Sequence, residues 1–299
     1  MISYSQNHED VLLSRLFAKQ KAGFYVDVGA YHPLDCSVTR AFHERGWRGI
    51  NIEPGSIYSF WPTHRPNDIN LNVAVSDQSG TFTYYEYPAM PAVSRLSDEI
   101  PDTLTQYSEG RVSKTVPVLT LREIFKKHWP AEGVDFMSID VEGHEEKVIR
   151  GNDWGRYRPR ALVIEATLPF SATPCHQGWE PLLIQAGYLF CYFDGLNRYY
   201  LRKEDRQLQE HFQVPVNLFD DYTSAEVMDL REKLHAANVY GQQKDHTLAV
   251  VSEELHRTRG ELGQIQARLA GTGDRALEVG LKVARLLSRL KPGRKLQNT

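Results

Sequence analysis

Four short apolar runs, each carrying an acid in its last two residues, constrain this chain more than any other feature. They are FYVDV at 24–28 with Asp27, GINIE at 49–53 with Glu53, VDFMSIDV at 134–141 with Asp140, and ALVIEA at 161–166 with Glu165. Runs of this length suit buried strands, and segments of helical period separate them. Val11, Leu12, Leu16 and Phe17 give such a period over 6–18, and further helices are expected at 37–45, after Pro54, and at 121–127, 144–150 and 179–186. INLNVAV at 69–75 reads as a third strand, and TFTYYEY at 81–87 as a fourth with strong β propensity. Residues 88–113 lack a period and are rich in Ser, Pro and acids, so they read as an inserted loop over the sheet. The turn Asp194-Gly195-Leu196 separates YLFCYFD from NRYYLR and makes that pair antiparallel. Alternating β and α units predict a doubly wound α/β domain, mostly parallel and closing on an antiparallel hairpin.

In such a sheet, ligands bind beyond the carboxyl ends of the strands, close to where strand order reverses. That is where the four acids should gather. After the first strand comes Asp27-Val-Gly-Ala-Tyr-His-Pro33, in which Gly29 permits a sharp turn and a close backbone approach. Glu53, one βα unit later, suits the two hydroxyls of an adenosine ribose. The loop has no G-x-G-x-x-G run to seat a pyrophosphate, and Asp27 would repel one while organising a cationic, amino-bearing ligand. The segment Ser138-Ile-Asp140-Val-Glu142-Gly143-His144-Glu145 delivers two carboxylates and an imidazole to the same edge. One of Asp140 and Glu142 can bind metal or cofactor while the other acts on substrate. The plainer alternative is that Glu142, His144 and Glu145 form a solvated, helix-capping cluster. Ser94-Arg95-Leu96 and the aromatic run 84–87 are candidates for an acceptor groove.

Composition narrows the class. A net charge of −3 over 299 residues gives no reason to expect a nucleic-acid partner. The three cysteines, Cys36, Cys175 and Cys191, are odd in number and irregular in spacing, which fits neither a disulfide framework nor a zinc site and points to the cytoplasm. The N-terminal segment does not read as a signal peptide, and no run approaches the ~20 apolar residues of a membrane span.

Beyond about Thr223 the pattern changes to heptads. Val227, Leu234, Gly241, Leu248, Leu255 and Leu262 recur every seven residues, with Leu230, Ala237, Lys244, Val251, Thr258 and Ile265 three positions later. This spacing predicts a long helix forming an oligomeric coiled coil, with Gly271-Thr272-Gly273 breaking the seam. From Asp274 to Thr299 there are seven Lys or Arg against two acids. GLKVARLLSRLKPGRKL is therefore expected as a basic amphipathic tail able to touch an anionic membrane. The division predicted is 1–222 catalytic, 223–271 coiled coil and 272–299 tail.

Taken in order, SYSQNHEDVLLSRLF, FYVDVGAYHP, RGWRGINIEP, DINLNVAVSD, FMSIDVEGHEEKVIRG and VIEATLP resemble the FkbM family of S-adenosylmethionine-dependent methyltransferases, over roughly residues 3–222. YFDGLNRYYL followed by NLFDDY is similar to a subgroup associated with bacterial surface polysaccharides. The resemblance implies a class I, Rossmann-like methyltransferase fold and O-methyl transfer to a sugar hydroxyl. It implies that Asp27, Gly29 and Glu53 hold the cofactor, that Gln6 and Asp10 close over its amino-acid end, and that Asp77 lies by the adenine. By analogy with related metal-dependent sugar methyltransferases, Asp140 and Glu165 bind Mg²⁺ and Glu142 or His144 acts as base. The chain departs from those enzymes in having Ala166 after Glu165 where they show paired aspartates. A degenerate scaffold acting through its coiled coil, and a nicotinamide-dependent sugar oxidoreductase, are the competing expectations.

Overall fold

The computed structural model describes residues 1–97, 99–100, 102–270 and 276–289. The elements in chain order are β1 (Ile2–Ser3), α1 (Glu9–Leu16), β2 (Phe24–Val28), α2 (Arg40–Glu44), β3 (Arg48–Ile52), α3 (Trp61–His64), β4 (Ile69–Leu71), β5 (Ala74–Val75), β6 (Gly80–Glu86) and β7 (Val112–Leu119). They continue as α4 (Leu121–His128), β8 (Phe136–Ile139), α5 (Glu145–Arg150), β9 (Ala161–Glu165), α6 (Glu180–Gln185), β10 (Tyr188–Phe193), β11 (Asn197–Arg202), β12 (Thr223–Ser224), α7 (Ala225–Ala270) and α8 (Ala276–Arg289). The chain divides into two compact units, Met1–Val227 and Met228–Thr299. The first unit includes β12, which pairs in parallel with β1, so it reaches slightly past the expected boundary at 222.

The main sheet has seven strands in the order β10-β11-β9-β8-β2-β3-β4. From β9 to β4 all neighbours run parallel, and β11 lies antiparallel between β9 and β10. The two-residue period of each strand sorts its side chains onto two buried faces. One face takes Val26, Val28, Ile50, Ile52, Met137, Ile139, Leu162 and Ile164, packed under Leu121, Ile124, Phe125, Val148, Ile149 and Leu183 of α4, α5 and α6. The other takes Tyr25, Phe136, Val163, Tyr199 and Leu201, packed under Leu12, Leu13, Leu16 and Phe42 of α1 and α2. Helix α4 begins at a capping box: Thr120 Oγ1 accepts from the Glu123 N–H, and the Glu123 carboxylate accepts from the Thr120 N–H.

Two expectations about strands change. INLNVAV is not one strand. β4 pairs with β3, then the Asn72 amide donates to the Glu53 carbonyl at 2.8 Å, and the chain leaves the sheet to form β5 elsewhere. TFTYYEY does not extend the main sheet either. It forms β6 of a separate three-stranded sheet, order β5-β7-β6, whose middle strand contains Pro117. Proline is tolerated there because β5 pairs only with Val118 and Leu119, so no ladder bond needs the missing N–H. The aperiodic stretch after β6 is an ordered insert where described. Short 3-10 turns at Pro91–Val93 and Asp102–Tyr107 pack around a small core of Tyr87, Val93 and Leu104.

In the second unit, α7 is an unbroken 46-residue helix with the apolar seam open to solvent: Leu234 is 62%, Leu248 65% and Leu255 53% exposed. The expected break at Gly271-Thr272-Gly273, and Leu290 onward, lie outside the described residues. No helix among those described is long and apolar enough to cross a membrane.

Candidate active site

Strand order reverses between β2 and β8, and the exits of β8, β2 and β3 are knitted together there. Gly29 and Ala30 both donate to the Ile52 carbonyl at 3.0 Å, and the Asp140 N–H donates to the Val28 carbonyl at 3.0 Å. Gly29 has φ +80°, and a Cβ on it would lie 1.7 Å from the Asp140 carbonyl oxygen. Its immediate role is therefore to let two strand exits touch, which is more local than the ligand approach expected of it.

The cleft above these exits is lined by Gly29, Tyr31, Glu53, Asp140, Glu142 and His144, with a floor of Ile52, Val73, Ala74 and Val75. The insert contributes Ser94, Arg95 and Leu96, and β6 contributes Tyr84. A second hollow of about 380 Å³ adjoins it, bounded by Ile57, Phe60, Tyr87 and Pro88. Both hollows are lined by Glu53, Tyr84, Pro91 and Ser94.

Glu53 is buried at this junction. Its Oε2 accepts from the Tyr31 N–H at 2.9 Å and its Oε1 from the Gly55 N–H at 2.5 Å. These bonds fix the carboxylate and leave each oxygen a further lone pair. Burial outweighs them and pushes its pKa up to about 7.

At the exits of β8 and β9 the acids crowd. One carboxylate oxygen from each of Asp140, Glu145 and Glu165 lies within 4.8 Å of the others. Asp140 keeps solvent access through the cleft, yet burial among protein atoms raises its pKa. Glu165 is pushed up to about 12, first by burial and then by the charges of Asp140, Glu142 and Glu145. As a carboxylate its buried Oε2 has no donor, and only as a neutral acid can Glu165 bond, to Asp140. Glu142, at φ +56° in the left-handed region, is raised well above the carboxylate range by burial and by the charges of Asp140 and Glu145. The adjoining Gly143 has φ +90°.

Glu145 resolves part of the helix-capping alternative. Its Oε1 accepts from the N–H groups of Val141 and Gly143, both at 3.1 Å, so this acid shapes the turn. Glu142 makes no such bond and faces the cleft. His144 also faces the cleft, with Nε2 3.0 Å from Ser76 Oγ, and burial lowers its pKa to about 4, so at neutral pH it is uncharged.

Other candidates are placed elsewhere. Asp10 is fully buried and accepts from Ser3 Oγ, the Tyr4 N–H and Ser5 Oγ at 2.7–2.8 Å, so it holds the β1–α1 loop and does not line the cleft. Gln6 is exposed in that loop and does not line the cleft. Asp77 pairs with Lys147 at 3.2 Å beside Ser76, also outside the lining. Asp27 sits behind the cleft, where it accepts from Thr39 Oγ1 at 3.0 Å and burial raises its pKa to about 6. Side chains alternate along β2, so Val28 turns to the cleft and Asp27 to the opposite face. Glu145 was legible only as a capping acid. Tyr31, whose N–H fixes Glu53 from a φ of +49°, carries no sequence signal of its role.

A strand-exit cleft with these acids arises in more than one enzyme class, and the family comparison decides between them. The model of the methyltransferase FkbM domain matches residues 27–190. The chain belongs to the FkbM methyltransferase family. A search of curated proteins gave no match. The mixed α/β sheet, its order and the cleft at its switch point are consistent with a methyltransferase fold. The chain after β2 enters a helix only at Arg40, so no helix N-terminus stands where a dinucleotide pyrophosphate would need one.

Proposed function

We propose that this methyltransferase uses S-adenosylmethionine to methylate a sugar hydroxyl during assembly of a bacterial surface polysaccharide or related glycan. The observation that supports it most is the position of Glu53, a fixed acid lining two adjoining hollows at the switch point. The residues fit the cofactor. Glu53 has lone pairs free for two ribose hydroxyls, the apolar neighbours Ile57, Phe60 and Tyr87 suit a purine, and the acid-rich cleft suits a sulfonium and an ammonium. When bound, the cofactor supplies an electrophilic methyl group on a good leaving group.

The chain's part is then to align the acceptor and remove its proton. A sugar hydroxyl is a poor acid, so the base must be strong yet deprotonated. Glu142 fits because burial and neighbouring acids raise its proton affinity, and a cation nearby would draw the proton off. Neutral His144, held by Ser76, can orient the hydroxyl through its ring. Asp140 and Glu165, with Glu145 beside them, form a donor set of hard oxygens that suits Mg²⁺, and such an ion would relieve their mutual repulsion. Tyr84 and Arg95 suit the acceptor side of the cleft.

The exposed heptad seam of α7 supports a homo-oligomeric coiled coil, and the basic face of the tail supports contact with anionic lipid at the inner face of the membrane. The test of the reaction is transfer of labelled methyl from S-adenosylmethionine to a panel of monosaccharides and uronates. A product stable to mild base is an ether and supports O-methylation of a hydroxyl. A base-labile ester, or no transfer with any acceptor while the cofactor binds, would contradict it.

A further inference from the structure

A buried guanidinium in this cleft has two nitrogens with no hydrogen-bond partner among the described residues. Arg95 is 8% exposed, and its Nε and Nη1 are buried without a hydrogen-bond partner. No ion pair to it exists among the described residues, although Glu142 is close enough to feel its charge. The segment that carries it is tied down at its backbone. Tyr85 and Arg95 exchange backbone hydrogen bonds, Tyr85 N–H to the Arg95 carbonyl at 2.8 Å and Arg95 N–H to the Tyr85 carbonyl at 3.0 Å. The insert core of Tyr87, Val93 and Leu104 anchors the same segment. At the far end, Nη2 lies 2.9 Å from where a Cβ on Gly143 would stand, so glycine there leaves room for the guanidinium.

Arginine stays charged at any physiological pH, and a buried charge without a partner is costly. Such a group calls for a partner from outside the chain, and Arg95 lines a cleft that a ligand can enter. Resting on the methyltransferase reading, we propose that Arg95 receives a carboxylate in the cleft, either that of the cofactor's amino-acid end or that of an acidic sugar acceptor such as a uronate. A guanidinium fork matches a carboxylate in shape and charge. A phosphate dianion suits the place less, because Glu142 near the guanidinium and Asp140 in the same cleft would repel two charges more than one. Arg95 is a binding residue and takes no part in proton transfer.

The test is calorimetry on the full chain and on Arg95→Gln and Arg95→Lys, with three probes. S-adenosylhomocysteine carries the amino-acid carboxylate, 5′-methylthioadenosine keeps the nucleoside and sulfur without it, and glucuronate is titrated alone and into protein saturated with S-adenosylhomocysteine. If the cofactor's carboxylate is the partner, Arg95→Gln weakens S-adenosylhomocysteine by about tenfold or more and leaves methylthioadenosine unchanged. If the acceptor's is, both nucleosides bind as in wild type and glucuronate binding is lost. Lysine restores part of either loss. All three probes binding Arg95→Gln as they bind wild type would overturn the proposal. Wild type that binds neither nucleoside would instead overturn the methyltransferase reading, while glucuronate alone still tests Arg95. A second measurement covers folding. With no ligand, Arg95→Met should melt higher by about 2–4 °C, because it removes an unpaired buried charge. A lower midpoint would mean the guanidinium is already satisfied, and the proposal would fail.

Discussion

Two buried arginines of the methyltransferase domain are treated in opposite ways. Arg65, 1% exposed, donates from Nη1 to Tyr25 Oη at 2.8 Å and from Nη2 to the Pro33 carbonyl at 2.9 Å and Ser37 Oγ at 3.3 Å. Asp68, 3.9 Å away and with its side chain fully buried, accepts from Tyr25 Oη and the Asn51 amide. Every charge in that centre is answered by the chain itself. At the strand exits Arg95, 8% exposed, and Glu165, 7% exposed, are buried too, but Arg95 Nε and Nη1 and Glu165 Oε2 have no hydrogen-bond partner, and the acids around Glu165 repel one another. The first centre holds β2, β3 and the segment between them together. In the second, Arg95 lines the cleft a cofactor and acceptor would enter, together with Asp140 and Glu142. Arg65 is answered by its surroundings and serves the architecture, whereas Arg95 is left open at the cleft.

Mutations at the two centres should therefore move stability in opposite directions. The largest effect is expected at the satisfied one. Asp68→Ala removes the counter-ion of Arg65 and the acceptor of Tyr25 Oη, and urea denaturation should show a loss of about 3–5 kcal/mol. A loss under about 1 kcal/mol would erase the contrast.

Glu165→Gln at the strand exits should stabilise the ligand-free protein. Because the folded pKa of Glu165 is raised above its ordinary 4.5, the folded state binds the extra proton, so stability falls as pH rises above that value. Glutamine mimics the protonated acid and carries no such penalty. Between pH 6 and 8, thermal and urea unfolding should show wild type losing up to about 2–3 kcal/mol relative to the variant. Parallel pH profiles would count against the crowding of charge.

His144 produces the opposite limb. Its folded pKa of about 4 lies below its ordinary 6.5, so the unfolded chain takes up a proton first as pH falls through that window. Wild type should lose up to about 2 kcal/mol by pH 5, and His144→Gln should flatten that acid limb. Smallest of the four, Thr120→Ala removes the α4 capping box in neither centre. It should cost about 1 kcal/mol at every pH and leave ligand binding untouched.

Much of the parallel sheet was legible because buried parallel strands must be apolar runs and their connections must carry helical period. The acids ending those runs marked the site for the same reason: strand exits in such a sheet are where ligands bind. What the sequence concealed depends on contacts between distant segments. Nothing local shows that Asn72 caps the Glu53 carbonyl and turns INLNVAV out of the sheet. Asp10 reads like a ligand-facing acid until the hydroxyls of Ser3 and Ser5 are seen to saturate it. Asp27 stands one residue from the cleft, and the two-residue period of β2 alone turns it away. Arg95 was legible as part of a candidate acceptor groove, but its lack of a partner was not. Its isolation depends on where Glu142 and Gly143 stand, and no pattern encodes that.

The most direct test of the strand-exit cleft as a cofactor site is calorimetric titration of S-adenosylhomocysteine into wild type and Glu53→Gln. Glutamine keeps the size of Glu53 but cannot answer both Tyr31 and Gly55 and still accept two ribose hydroxyls. Micromolar binding by wild type, weakened about tenfold or more in the variant, is the predicted result. No binding by folded wild type, or equal binding by both proteins, would contradict the account.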